Sequence, residues 1–153
     1  MFAWLRSLIS AAAVVELHSS RIRVRDVSNR KDFDFEPLLS IDANQRVVSV
    51  GHPIPASAVK TYSPFASPAA FADDPRIAQL ILTFAYSKLG SSAWLKPAPR
   101  VVLTVVADHA NGAGHLSDDV LVKLSASAGA RATVIHRGRT ISDAEALRLL
   151  DAA

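Results

Sequence analysis

The densest set of chemistry-bearing side chains is the run Asp108-His109-Ala110-Asn111-Gly112-Ala113-Gly114-His115. Two imidazoles, a carboxylate, an amide and two permissive glycines are the groups that hold a divalent metal or cradle a phosphate. Asp108, His109, Asn111, Gly112, Gly114 and His115 are therefore candidate ligand-loop residues. Against that stands the short glycine spacing, which lacks the length of a dinucleotide loop, and no second ligand motif accompanies it. An ordinary polar connection is the competing reading. A two-metal nuclease needs several acids converging on strand ends. Glu16 and Asp108 fit such positions, but the remaining acids fall on turns or helix caps. His18, His52 and His136 share no ligand spacing and read as surface or capped histidines. No catalytic residue and no metal site is assigned, and the absence of cysteine excludes a disulfide framework or thiolate site.

A second constellation is physical rather than catalytic. Phe2, Leu5, Leu8 and Ile9 fall on one helical face with Trp4 at its border, while Arg6, Ser7 and Ser10 lie mostly elsewhere. This is the pattern of a short helix lying in a membrane interface, and the alternative is a helix packed on its own domain or on another chain. The segment does not read as a cleaved signal, because Phe2, Trp4 and Leu5 precede the charge and the apolar run passes straight into a strand-like segment. No apolar run approaches the roughly 20 residues that span a bilayer.

The elements that must position these residues belong to one folding unit. The chain has 153 residues, half of them apolar and a fifth charged, which excludes disorder and leaves room for one core. A formal charge of +3 comes with arginines grouped at Arg6, Arg21, Arg23, Arg25, Arg30 and Arg46. They suit an anionic surface or simply solubilise strand faces, and nucleic acid is not an expected partner. We divide the chain into an amphipathic segment, 1–12, and a single domain, 13–153.

Alternation predicts strands at Val14 to Leu17 and Arg21 to Val27, with His18-Ser19-Ser20 as the turn between them, and a third through Phe33, Phe35, Leu38 and Ile41. Val47 to Val50 adds a short strand ended by Gly51. Residues 52–75 hold five of the eight prolines and predict a loop with one short helix at Ala56 to Lys60. Asp74 caps the best helix, with Pro75 first and Ile77, Leu80, Ile81, Phe84, Ala85 and Leu89 inward as far as Gly90. Arg100 to Val106 is apolar on both faces, as a central strand must be. Ser117 caps a helix with Val120, Leu121, Leu124 and Ala128 inward, and Gly129 ends it. Ala132 to Ile135 is a strand, and Ser142 with Glu145 forms a capping box for a last helix carrying Ala146, Leu147, Leu149 and Leu150.

Antiparallel strands followed by two strand and helix crossovers is the layout of the ribonuclease H-like α/β fold, a mixed five-stranded sheet with flanking helices in the order βββ(β)αβαβα. Four segments resemble the N-terminal half of MreB, the rod shape-determining bacterial actin family. Phe35-Glu36-Pro37-Leu38-Leu39-Ser40-Ile41 is similar to its N-E-P-S-V-V-A-I strand, and Val48-Ser49-Val50-Gly51-His52 to its V-A-A-V-G-H. Lys96-Pro97-Ala98-Pro99-Arg100-Val101-Val102-Leu103 is similar to R-P-S-P-R-V-L-V, and Ser127-Ala128-Gly129-Ala130-Arg131 to the family's G-A-G-A-R.

The resemblance implies a nucleotide hairpin of the form D-L-G-T-x-N-T, and its counterpart here is Glu16-Leu17-His18-Ser19-Ser20-Arg21. Glu16, His18, Ser19 and Ser20 thus occupy a degenerate phosphate-loop position: histidine replaces the glycine that lets backbone approach phosphate. His136-Arg137-Gly138 stands where the family has E-E-P. The implied protein is a non-catalytic actin-like assembly factor without a cofactor, in cell shape or envelope organisation. Its partner is itself or a bacterial actin filament. Its place is the cytoplasm or the periphery of the inner membrane, where the family's short N-terminal amphipathic helix matches Phe2 to Ile9 and anionic lipid is the candidate surface. A small metal- or ligand-binding regulatory domain using the 108–115 loop is the alternative.

Overall fold

Alternation and capping decide most of the elements seen in the computed structural model, which describes residues 11–89, 98–106 and 112–153. In chain order these are β1 Ala12–Leu17, β2 Ile22–Asp26, β3 Lys31–Phe35, β4 Leu39–Ile41, β5 Val47–Val50, β6 Lys60–Tyr62, α1 Pro68–Asp73, α2 Pro75–Ser87, β7 Arg100–Val106, α3 Asp118–Ser127, β8 Ala132–Gly138 and α4 Asp143–Ala152. Phe2, Trp4, Leu5, Leu8 and Ile9, the helix stop at Gly90, and Asp108, His109 and Asn111 lie outside the described residues.

The main sheet has the order β3-β2-β1-β7-β8. β1 pairs antiparallel with β2, and β2 with β3, while β1 with β7 and β7 with β8 are parallel. The central strands β1 and β7 are buried along almost their whole length and largely apolar, because both faces of the sheet are covered there. On one face Ala13, Val15, Leu17, Val101, Leu103 and Val105 pack into the large core beneath α1, α2 and α3. On the other, Ala12, Val14 and Val102 form a smaller core with Ile141, Ala146 and Leu150 of the α4 region.

The long third strand expected through Ile41 is broken. Pro37 cannot donate to a ladder, and Leu38 N–H turns back onto the Glu36 carbonyl at 2.8 Å. The chain therefore leaves the main sheet, and β4 becomes the centre of a second, three-stranded antiparallel sheet, β5-β4-β6. The short helix expected at 56–60 is also absent: Ala58 N–H reaches the Pro55 carbonyl for one turn, and then Val59 N–H is captured by Ile41, leading into β6.

Caps behave as written in the sequence. Ser67 Oγ accepts from Ala70 N–H at 3.1 Å to start α1, a helix not anticipated, and Asp74 both ends α1 and caps α2. The inner stripe of α2 is Ile77, Ala78, Ile81, Leu82, Ala85 and Tyr86, so Leu80 faces outward instead. Val120 and Leu147 are likewise exposed, one position off the buried stripes of α3 and α4. Ser142 Oγ accepts from Glu145 N–H at 3.2 Å, completing half of the capping box. The Glu145 carboxylate turns instead to Arg139, 2.9 Å away, and that bond holds it below the usual carboxylate range.

Candidate functional site

Register places four polar residues in one transverse row. Arg23 of β2 lies opposite Glu16 of β1, Glu16 opposite Thr104 of β7, and Thr104 opposite His136 of β8. Directly paired residues share a sheet face. This is the face of α4, two residues beyond the apolar row Val14, Val102 and Val134. The row lies toward the carboxyl ends of the parallel strands, where open α/β sheets receive ligands.

Glu16 is the residue that defines the site. Its side chain is only 2% exposed, and a carboxylate so placed needs counter-charges and donors. His18, two residues on, brings Nε2 to 3.2 Å from Oε1. Arg25 places Nε 4.0 Å from Oε2. The same guanidinium continues to α4: Nη1 donates to Asp143 at 3.0 Å, and Nη2 donates to the Ile141 carbonyl. Arg25 thereby ties the first hairpin and Glu16 to the start of the last helix, a role that no motif announces.

The turn itself is closed by His18 N–H to the Arg21 carbonyl at 2.9 Å. Ser19 is half-buried and Ser20 is exposed. The described non-glycine residues with left-handed backbone are Arg30 and Gln45, neither of them in this turn. A histidine therefore fits without strain, and its ring occupies the ground beside Glu16 that a glycine would leave open. The turn expected at His18-Ser19-Ser20 lies between β1 and β2, and the residues that the strands bring to Glu16 are Thr104 and His136 in its row and Arg25 beside it. Thr104 Oγ1 and His136 Nδ1 are buried with no hydrogen-bond partner among the described residues.

The candidate ligand loop is represented by its second half. Gly112 has a packing reason to be glycine: a Cβ there would sit 2.7 Å from the Pro64 carbonyl oxygen and 2.8 Å from that of Ser67. His115 is exposed. Arg137, on the opposite face of β8 from His136, fastens this loop by donating to the carbonyls of Gly114 and Leu116 and, through Nε, to Asp118 at 2.9 Å. Among the described residues no group of three or more His, Asp or Glu side chains is arranged to hold a metal, and no helix is long and apolar enough to cross a membrane.

Neither a known family model nor a curated protein matches the chain. Among solved structures it is similar to MreB5 of Spiroplasma citri bound to AMPPNP, with a TM-score of 0.59 and 11% sequence identity. It is similar as well to MreB5 of the same organism bound to ADP, with a TM-score of 0.59 and 12% identity. In both cases the match covers 84% of this chain and 38% of the other, so the chain spans well under half of the protein it resembles. The sheet order and these neighbours together give the chain an actin-like, ribonuclease H-like α/β fold.

Proposed function

We propose that this chain is a non-catalytic actin-like protein that works by assembly, with itself or with a bacterial actin filament, in cell shape or envelope organisation at the cytoplasmic side of the inner membrane. The observation that carries the proposal is the filled hairpin. The Spiroplasma citri neighbours hold AMPPNP and ADP. In this chain the turn at the equivalent end of the sheet carries His18 against a buried Glu16, and Arg25 stands close by. Arg25 brings a positive charge to the acid that would otherwise hold a hydrated metal, and an imidazole takes the place of a glycine. An actin-like half without a phosphate cradle retains surfaces for assembly as its means of action. The amphipathic pattern of Phe2, Trp4, Leu5, Leu8 and Ile9 supplies a lipid-facing candidate, and its weak single-helix binding would gain from avidity in an assembly.

The test combines two measurements on the purified full chain. Co-sedimentation with anionic liposomes or with bacterial actin filaments should occur, and removing Met1 to Ser10 should abolish the liposome arm. A calorimetric titration with ATP and magnesium should show no saturable heat. Clear ATP binding with no pelleting in either assay would overturn the proposal.

A further inference from the structure

The two outer edges of the main sheet meet water differently. β3 reads Lys31-Asp32-Phe33-Asp34-Phe35, with Lys31, Asp32 and Asp34 exposed. Charges of this kind blunt an edge against pairing. β8 at the other edge reads Ala132-Thr133-Val134-Ile135-His136-Arg137-Gly138. It carries no proline, and its register with β7 runs unbroken from Arg100 opposite Ala132 to Val106 opposite Gly138. Its one formal charge, Arg137, is drawn aside by Asp118 and the Leu116 carbonyl. No described residue pairs with its outer edge. A regular, seven-residue edge whose one charge is paired with Asp118 is a template for another strand.

The direction of its backbone groups can be read off. Arg131 N–H donates to the Pro99 carbonyl at 2.8 Å, on the β7 side. Directions alternate along a strand, so Ala132, Val134 and His136 turn their N–H and C=O groups outward. We propose that β8 pairs antiparallel with β8 of a second copy about a two-fold axis at Val134, joining two sheets into one continuous sheet. Val134 then meets its own counterpart, and Ala132 meets His136 at each end. These three reciprocal pairs form about six backbone hydrogen bonds. At each end Arg131 comes opposite Arg137, whose charge Asp118 already balances.

A second copy is the occupant because the pairing closes on itself. Once the two β8 edges are joined, both outer edges of the combined sheet are β3, blunted by Lys31, Asp32 and Asp34, and growth stops at two. The helix packed over β8, α3, also leaves Val120 and Val122 exposed, apolar surface on the element nearest the joint. The proposal rests on the self-assembly arm of the proposed function and names its surface.

Amide hydrogen exchange and sedimentation velocity on the full chain, across a wide concentration range, test it together. The dimer fraction should rise with concentration. Protection of the Ala132, Val134 and His136 amides should rise in parallel, while Thr133 and Ile135, bonded to β7, stay protected throughout. Ala132→Pro removes an outward N–H at an exposed residue, and should weaken dimerisation about tenfold or more with the melting temperature unchanged. Thr133→Pro, which strikes the β7 ladder, should lower the melting temperature instead. A monomer at every concentration overturns this inference, while pelleting with actin filaments would still uphold the assembly reading. A dimer insensitive to Ala132→Pro, with the three outward amides unprotected, also overturns it and leaves self-assembly to another surface.

Discussion

Two neighbouring rows on one face of the main sheet differ by a step of two residues along each strand. Val14, Val102 and Val134 are covered by α4 through Ala146 and Leu150. Glu16, Thr104 and His136, one pleat further toward the carboxyl ends, are polar, and α4 is not what neutralises them. Same strands, same face and same twist thus hold a hydrophobic core at one end and a charged site at the other. The difference lies in what covers each row. Over the valines lie the apolar side chains Ala146 and Leu150, whereas Arg25 brings a positive charge to Glu16 and His18 a hydrogen-bond partner.

The harshest way to break that comparison is to move the polar character back by one pleat. Val102→Glu places a carboxylate at a fully buried position within the small apolar core of Val14, Ile141, Ala146 and Leu150. It should destabilise the chain by more than about 4 kcal/mol and in practice prevent cooperative folding. Urea denaturation followed by circular dichroism measures it, and a variant that unfolds like the parent would mean that α4 does not seal this row.

A milder change sharpens the role of the charge. Glu16→Gln keeps the shape but removes the partner of His18 and Arg25, while Arg25 retains Asp143 and the Ile141 carbonyl. The expected loss is about 1–3 kcal/mol. Faster amide exchange at the first turn of α4 should accompany it, because Arg25 links the two places. Unchanged stability together with unchanged exchange would show that Arg25 holds α4 without help from Glu16.

What the sequence showed of this arrangement follows from range. Local signals carried through: the apolar run of β1, the alternation in β2, the β-branched run of β7, and the caps Asp74, Ser117 and Ser142 are each settled within a few residues. Signals that compete over distance did not. Pro37 ends one strand, but nothing nearby says that β4 will be claimed by both β5 and β6. Glu145 has the spacing of a capping box, yet Arg139 outbids the backbone for its carboxylate. At the site, the hairpin substitution at His18 was legible because it is contiguous with Glu16. Arg25 was not, since its partners Ile141 and Asp143 lie over a hundred residues away. Thr104 was hidden for another reason: inside an apolar strand a threonine reads as one more β-branched residue.

That same threonine gives the smallest expected effect and the finest test of the comparison. Thr104 is fully buried, and its hydroxyl has no partner among the described residues. An unpaired buried hydroxyl carries its desolvation penalty without return. Thr104→Val replaces it with a methyl group of nearly the same volume, extending the apolar row of Val102 by one pleat. If the polar row is held together by Glu16, His18 and Arg25 alone, the variant should be unchanged or more stable by up to about 1 kcal/mol. A loss of comparable size would show that the hydroxyl has a bonding partner in the folded chain. Thr104 would then belong to the same network as Glu16, and Thr104→Ser, which keeps the hydroxyl, should recover more of the parent's stability than Thr104→Val.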